Sequence, residues 1–188
     1  MTTFSTNGSS GGFALPNTKT LVIASHPYPS QSVVNRALQQ TAQAIDGVRY
    51  RNLETLYGND ITTIDVIAER KAYEDMDRVV FMFPLHRFNL TPMLKAYLNE
   101  VWLHWGHYEL SGKKMLVVIT TGLEARQYSH EGHIGLTINE ILAPMRACAN
   151  YMNMIYLEPL AFLGVTGADF YTICSYQLQL EQRLSNKD

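Results

Sequence analysis

Residues 26–35 form the first of three segments whose side chains could bind a charged ligand. The segment reads His-Pro-Tyr-Pro-Ser-Gln-Ser-Val-Val-Asn and directly follows an apolar run. Ser32 is a suitable N-cap for the amphipathic stretch that begins after it, and the free N–H groups of a helix N-terminus can hold a phosphate. His26 and Asn35 would add hydrogen bonds to that phosphate. The local spacing is equally compatible with a Ser32 that only caps the helix.

The second segment, Pro84-Leu85-His86-Arg87-Phe88-Asn89, places ring side chains and a cation in one loop. A planar ligand could lie against such a loop. Taken alone, the segment is more typical of an ordinary turn between a strand and a helix.

The third segment runs from Thr120 to Leu136 and separates a predicted strand from a predicted helix. Connections in α/β units usually have about 2–6 residues, so a loop over residues 123–136 is typical of a functional lid. Its side chains that can transfer a proton are Tyr128, His130, Glu131 and His133. Two histidines in a glycine-containing loop are weak evidence for a metal, and we expect none.

Short apolar runs alternate along the chain with amphipathic stretches, which is the pattern of alternating strands and helices. The predicted strands cover residues 21–24, 48–51, 79–83, 115–119 and 155–160. The predicted helices cover residues 33–45, 62–75, 91–102, 137–145 and 168–184. Pro144 should kink the fourth of these helices, because proline lacks the backbone N–H that the helix needs.

This alternation predicts an α/β three-layer sandwich with a parallel sheet and right-handed crossovers. Only the second strand alternates apolar and charged residues as an edge strand does. A sheet of five strands with the second strand at its edge favours the flavodoxin-like order 2-1-3-4-5. Ligands of such sheets bind outside the carboxyl ends of the strands. The three segments follow strands 1, 3 and 4, which are neighbours in this order, and we expect them to line one crevice.

The composition excludes several other classes of protein. The chain has 188 residues, a length that predicts one domain. Its net charge of −2 gives no basic surface for nucleic acid. Residues 1–18 lack periodicity and an apolar signal, so we expect a flexible tail followed by a single domain over residues 19–188. Cys148 and Cys174 cannot form a disulfide framework, which favours a cytoplasmic location.

Together the three segments resemble the flavin-dependent NAD(P)H:quinone oxidoreductases of the flavodoxin-like fold. The resemblance is greatest to the small bacterial members, which include ancillary proteins of glutathione-gated potassium efflux systems. The motifs that carry it are Ala24-Ser25-His26-Pro27 with Ser32-Val33-Val34-Asn35, Phe83-Pro84-Leu85 with Thr91-Pro92-Met93-Leu94-Lys95, and Ile119-Thr120-Thr121-Gly122 with Tyr128-Ser129 and Gly132.

The resemblance implies a bound FMN or FAD, NAD(P)H as the electron donor and a quinone or similar electrophile as the acceptor. It implies catalytic roles for Tyr128 and His133, and a homodimer with the site at its interface. The residues it implies for cofactor binding are His26, Ser32, Val33, Val34, Asn35, Pro84, Leu85, His86, Arg87, Phe88, Thr120, Thr121, Gly122 and Leu123.

Three positions depart from the family pattern. Arg87 stands where the family has an aromatic ring, Leu123 stands where it has a second glycine, and His133 lies one place early. Either altered substrate choice or weakened flavin binding would follow. The alternative function is therefore a regulatory partner of a potassium efflux transporter with little reductase activity, and a third is a flavin protein that reduces azo or nitro compounds.

Overall fold

A computed structural model describes residues 18–106 and 108–186. The tail predicted over residues 1–18 lies outside the described residues except for Thr18. The strands are β1 (Thr20–Ala24), β2 (Val48–Asn52), β3 (Arg78–Pro84), β4 (Lys114–Thr121), β5 (Ile155–Tyr156) and β6 (Leu160–Leu163). The helices are α1 (Val33–Ala44), α2 (Leu53–Tyr57), α3 (Val66–Ala72), α4 (Pro92–Trp102), α5 (Ile138–Ile141), α6 (Ala143–Tyr151) and α7 (Phe170–Ser185).

The strands form one parallel sheet in the order β2-β1-β3-β4-β5, and β6 pairs with β4 on the same side as β5. The flavodoxin-like order predicted from the sequence is confirmed. Two apolar cores cover the sheet. One contains Val34 of α1 and Leu180 of α7, and the other contains Leu94 of α4 and Met145 of α6. Helices on both faces make the three layers that a buried parallel sheet requires.

The prediction of one strand over residues 155–160 is wrong, because the edge of the sheet is built from two short strands. β5 pairs Tyr156 with Met115, and β6 resumes with Leu160 beside Val118. Pro159 lies between the two strands and has no N–H to donate to a ladder. The interruption moves the carboxyl end of this edge to Leu163, level with Thr121.

Two predicted helices also differ from the structure. In place of a helix over residues 62–75, a 3-10 turn at Ile61–Thr63 precedes α3, whose N-cap Asp65 accepts a hydrogen bond from the Ala68 N–H. The predicted helix containing Pro144 is divided into α5 and α6, and Pro144 lies in the first turn of α6. Proline is tolerated there because the first N–H groups of a helix have no partner within it.

A buried carboxylate joins β2 to three of the helices. Glu69 of α3 is fully buried and accepts two hydrogen bonds from Arg51 Nε at 2.9 and 3.0 Å. It also accepts hydrogen bonds from the hydroxyls of Tyr57 in α2 and Tyr97 in α4. Burial and the hydrogen bond to Glu69 raise the pKa of Tyr57 to about 12, so its hydroxyl stays a donor. The charge of Glu69 thereby holds β2, α2, α3 and α4 together.

None of the helices in the described ranges is long and apolar enough to cross a membrane.

We predict that Glu69→Ala destabilises the fold by about 3 kcal/mol, because it leaves the buried end of the Arg51 guanidinium and the Tyr57 hydroxyl without their acceptor. Urea unfolding followed by circular dichroism measures the loss. Glu74→Ala is the control, since Glu74 is exposed, and its free energy of unfolding should change by less than about 0.5 kcal/mol. Equal stability of the two variants would show that the buried carboxylate does not organise these elements.

Candidate functional site

The carboxyl ends of four strands meet at one edge of the sheet. In the parallel register Ala24 lies beside Met82, Pro84 beside Thr120, and Thr121 beside Leu163. A cavity of about 530 Å³ opens among the loops that follow these strands. The residues that line it are His26, Tyr28, Gln31, Ser32, Val33, Val34, Asn35, Pro84, Leu85, His86, Thr120, Thr121, Gly122, Val165, Thr166, Gly167 and Ala168.

The N-terminus of α1 forms one wall of this cavity. Ser32 caps the helix and accepts a hydrogen bond from the Asn35 N–H at 3.3 Å. The Asn35 side chain donates to Ser32 Oγ at 2.8 Å and lies 3.0 Å from the Thr120 hydroxyl. The helix itself leaves the N–H groups of Val33 and Val34 without acceptors. Ser32 therefore does cap the helix, and two backbone donors remain at the cavity for an anion.

His26 adds a neutral donor to the same cavity. Its Nδ1 accepts a hydrogen bond from the Tyr28 N–H at 3.0 Å. Burial lowers the pKa of His26, and the neighbouring His86 lowers it further, so the ring is neutral at pH 7. A neutral imidazole whose Nδ1 accepts carries its proton on Nε2.

Glu54 fixes the loop that carries His26. Its carboxylate accepts hydrogen bonds from the Ser25 hydroxyl at 2.6 Å and from the His26 N–H at 2.9 Å. The Ser25 hydroxyl also lies 2.5 Å from the hydroxyl of Thr91, which caps α4. These contacts join the end of β1 to the beginnings of α2 and α4, so the position of His26 is set by three elements rather than by its own loop.

A second cavity of about 720 Å³ adjoins the first. Its lining residues are Tyr28, Leu85, His86, Arg87, Phe88, Thr121, Gly122, Leu123, Tyr128 and Thr166. Six of these also line the first cavity, namely Tyr28, Leu85, His86, Thr121, Gly122 and Thr166. Because the walls are shared, a ligand that fills the first cavity can present one end to the second.

Tyr128 lies between the second cavity and the end of β4. Its ring is buried, and its hydroxyl lies 2.5 Å from the Thr121 hydroxyl. The loop that carries it folds tightly, since a Cβ on Gly132 would lie 2.6 Å from the Arg126 carbonyl oxygen and 2.5 Å from that of Gln127. A glycine at position 132 is therefore required to hold Tyr128 in place.

The two histidines of the long loop do not form a site with Tyr128. His130 Nε2 lies 2.9 Å from Glu140, whose carboxylate completes the capping box of α5. Hydrogen bonds from Thr137 and from His130 lower the pKa of Glu140 to about 2. His133 is exposed and is not among the residues that line either cavity. In the part of the chain that the structure describes, no three His, Cys, Asp or Glu side chains are placed to hold a metal ion.

Every residue predicted to bind a cofactor lines one or both cavities, and so does Tyr128. The structure thus brings the three sequence segments together, while their binding roles stay predictions. Leu123 has no positive φ, so the side chain that replaces the family's second glycine does not strain the backbone there. Among the non-glycine residues that line the two cavities in the described part of the chain, Arg87 and Phe88 have positive φ angles.

Two parts of the site were not predicted from the sequence: the loop that forms a fourth wall of the first cavity, and Glu54, which holds the loop of His26 in place. The loop over residues 165–168 follows β6 and lines the first cavity. Its signal was present in Gly-Val-Thr-Gly at residues 164–167, but the predicted strand ended too early for this loop to follow it. Glu54 had no local signal, because its partners Ser25 and His26 lie far from it in the sequence.

A family model described as "Flavodoxin-like fold" matches residues 18–183. The chain belongs to this flavodoxin-like family. It is 36% identical over 155 residues to general stress protein 14 of Bacillus subtilis (strain 168), a match that covers 80% of this chain and 87% of the relative. The resemblance stated from the sequence motifs is thereby confirmed for the family.

Two solved structures are also similar in sequence. One is general stress protein 14 from Treponema denticola in complex with FMN, which is 31% identical with a TM-score of 0.77, covering 88% of this chain and 99% of that one. The other is described as a thermophilic tryptophan halogenase from Streptomycin violaceusniger and is 32% identical with a TM-score of 0.83, covering 89% and 99%. These descriptions differ in chemistry, so they do not by themselves assign a reaction to this chain.

We predict that Gly132→Ala releases the loop of this flavodoxin-like protein that holds Tyr128, since its Cβ meets two backbone carbonyls that cannot rotate away. Amide hydrogen exchange over residues 123–134 should become at least tenfold faster, while exchange in β1 and β3 stays unchanged. Gly106→Ala is the control, because its Cβ would make only ordinary contacts at 3.6 Å. Unaltered exchange in Gly132→Ala would mean that this close packing does not hold the loop.

Proposed function

We propose that this chain is a flavin-dependent NAD(P)H oxidoreductase that binds FMN in the first cavity and reduces a quinone or a similar electrophile. The observation that carries the proposal is the N-terminus of α1, which presents the N–H groups of Val33 and Val34 to a cavity of about 530 Å³. Among the described residues, no aspartate or glutamate lines that cavity. Such a wall suits a phosphate group, and a relative from T. denticola binds FMN.

The residues present fit the parts of a flavin mononucleotide. The first turn of α1 would hold the phosphate, with Ser32 and the neutral His26 as further donors. Thr120, Thr121 and Gly122 follow β4 and supply a wall on which a planar ring can lie toward the second cavity. Gly122 brings this wall close to the loop after β6, since a Cβ there would lie 2.6 Å from Thr166 Oγ1.

The chemistry that a bound flavin supplies is the transfer of two electrons, as a hydride, from a nicotinamide donor and onward to an acceptor. The protein's share is to bind, orient and donate hydrogen bonds. Tyr128 is buried beside Thr121 with its hydroxyl directed by a 2.5 Å contact, so it can hold a proton at the rim of the second cavity. Exposed His133 stays a prediction for a second proton donor, because it would have to move to reach the cavity.

FMN is favoured over FAD by the T. denticola complex. NAD(P)H as donor, a quinone as acceptor, a homodimer and a transporter partner all rest on the resemblance of the sequence motifs and stay predictions. No contact in the described part of the chain favours the transporter role over catalysis, so the oxidoreductase is the function proposed here.

The absorption spectrum of the purified protein tests the proposal. After incubation with FMN or FAD and removal of the excess, the protein should retain a flavin spectrum that anaerobic NADPH bleaches and a naphthoquinone restores. Retained flavin that no nicotinamide donor reduces would contradict the reductase. In a separate aerobic assay, a halogenated product from tryptophan, chloride, reduced flavin and dioxygen, with no quinone reduction, would assign the other chemistry that a similar structure is described as having.

We predict that Val33→Pro weakens FMN binding about tenfold or more, because it removes one N–H donor from the phosphate site. Proline fits the first helical position, and Ser32 before it already has the extended φ and ψ of −108° and 102° that a following proline requires. Fluorescence titration with FMN measures the loss.

Riboflavin, which lacks the phosphate, provides the matched ligand, and its affinity should not change in Val33→Pro. Val33→Ala keeps the N–H and should bind FMN as the wild type does, since the Val33 side chain is mostly exposed. Equal losses for FMN and riboflavin would place the phosphate elsewhere.

A further inference from the structure

The two cavities differ in charge at one position. Of the described residues that line them, only Arg87 carries a fixed charge, and none carries a carboxylate. Arg87 is exposed, and within residues 18–106 and 108–186 its side chain has neither an ion pair nor a hydrogen bond. His86, which lines both cavities, adds a ring that can donate beside it. The second cavity therefore presents an unneutralised cation to whatever enters it.

The backbone at Arg87 is held in a conformation that its sequence does not favour. Arg87 and Phe88 have φ angles of +51° and +60°, and the Asn89 N–H donates to the His86 carbonyl at 3.2 Å. This is a two-residue turn with both central residues in the left-handed region, where Asn and Gly are the preferred residues. Neither is present. Strain of this kind that persists beside a cavity points to a functional use of the side chains that it directs.

The charge of Arg87 is not needed for the cofactor phosphate. Arg87 lines the second cavity and not the first, whereas the phosphate donors of α1 line the first and not the second. Phe88 lies beside it as a half-exposed ring in the same cavity. A cation next to an apolar ring suits a planar molecule that bears an acidic group.

We propose that Arg87 is a specificity-determining residue that binds an anionic group on the molecule entering the second cavity. The inference rests on the proposed function. The anionic group is a phosphate of a nicotinamide nucleotide donor, or a sulfonate or carboxylate on an aromatic acceptor. Both sources share the same recognition chemistry, a charge-assisted hydrogen bond from the guanidinium in a cavity without competing carboxylates.

Three variants isolate the charge. Arg87→Asn removes it with a residue that the left-handed region accepts, and Arg87→Lys keeps it. Arg126→Asn is the matched control, since Arg126 is an exposed arginine of the neighbouring loop that pairs with Glu124 and lines neither cavity. It changes the net charge of the protein by the same amount as Arg87→Asn.

Rapid-mixing kinetics of flavin reduction compare NADPH and NADH with the uncharged donor 1-benzyl-1,4-dihydronicotinamide. Flavin reoxidation compares 1,4-naphthoquinone-2-sulfonate with uncharged 1,4-naphthoquinone. The quantity compared is the second-order rate constant, measured at donor or acceptor concentrations well below saturation. Arg87→Asn should lower it at least tenfold for the anionic member of one pair and less than twofold for the neutral member of that pair. Arg87→Lys should recover most of the loss, and Arg126→Asn should show none. The pair that responds identifies the source of the anionic group.

Equal effects of Arg87→Asn on the charged and uncharged members of both pairs would overturn the proposal. The melting temperature of Arg87→Asn should equal or exceed that of the wild type, because asparagine relieves the strain of the turn. If Arg87 had a structural role instead, its replacement would lower the melting temperature.

Flavin retention is measured first. A wild type that retains no flavin contradicts the proposed function, and equilibrium binding of naphthoquinone sulfonate to the flavin-free variants then decides the role of Arg87 by the same comparison.

Discussion

Parallel pairing of β3 with both of its neighbours is the constraint on which the rest of this structure depends. It brings Ala24, Pro84 and Thr120 to the same edge of the sheet, so three loops distant in sequence share one cavity. A parallel sheet must be covered on both faces, and each crossover leads the chain from this edge into a helix. The N-terminus of α1 therefore opens at the cavity as a consequence of the topology, before any particular side chain is considered.

Side chains then give this edge its chemical character. The Glu54 carboxylate accepts hydrogen bonds from Ser25 and His26 and lines neither cavity, so it positions the first loop from outside the site. His26 is kept neutral by burial. The donors that the described lining residues present are backbone N–H groups, hydroxyls, the Asn35 amide, the rings of His26 and His86, and the guanidinium of Arg87. Among the described residues that line the cavities there is no carboxylate, and such an environment favours both an anionic cofactor and an anionic substrate.

The strand order and the meeting of the three segments at one edge of the sheet could be predicted from the sequence, because hydrophobic runs and helix caps are local signals. Ser32 and Thr91 cap the helices that they were expected to begin. The split edge strand was missed because Glu158 and Pro159 are flanked on both sides by apolar residues, which predicted one continuous strand. The loop over residues 165–168 was missed with it. Contacts between residues distant in sequence, such as Glu54 with His26 or Asn35 with Thr120, had no local signal. Nor did the turn at Arg87 and Phe88, whose residue types are uncommon at positive φ.

The most direct test of the account is a titration of the isotope-labelled protein with FMN, followed by amide proton and nitrogen chemical shifts. The account predicts that the largest shifts fall on Val33, Val34 and Asn35 and on residues 120–123, with smaller changes in the loop over residues 165–168. Shifts concentrated instead at the separate cavity between Thr41 and Glu181, or no shifts at millimolar FMN, would contradict it.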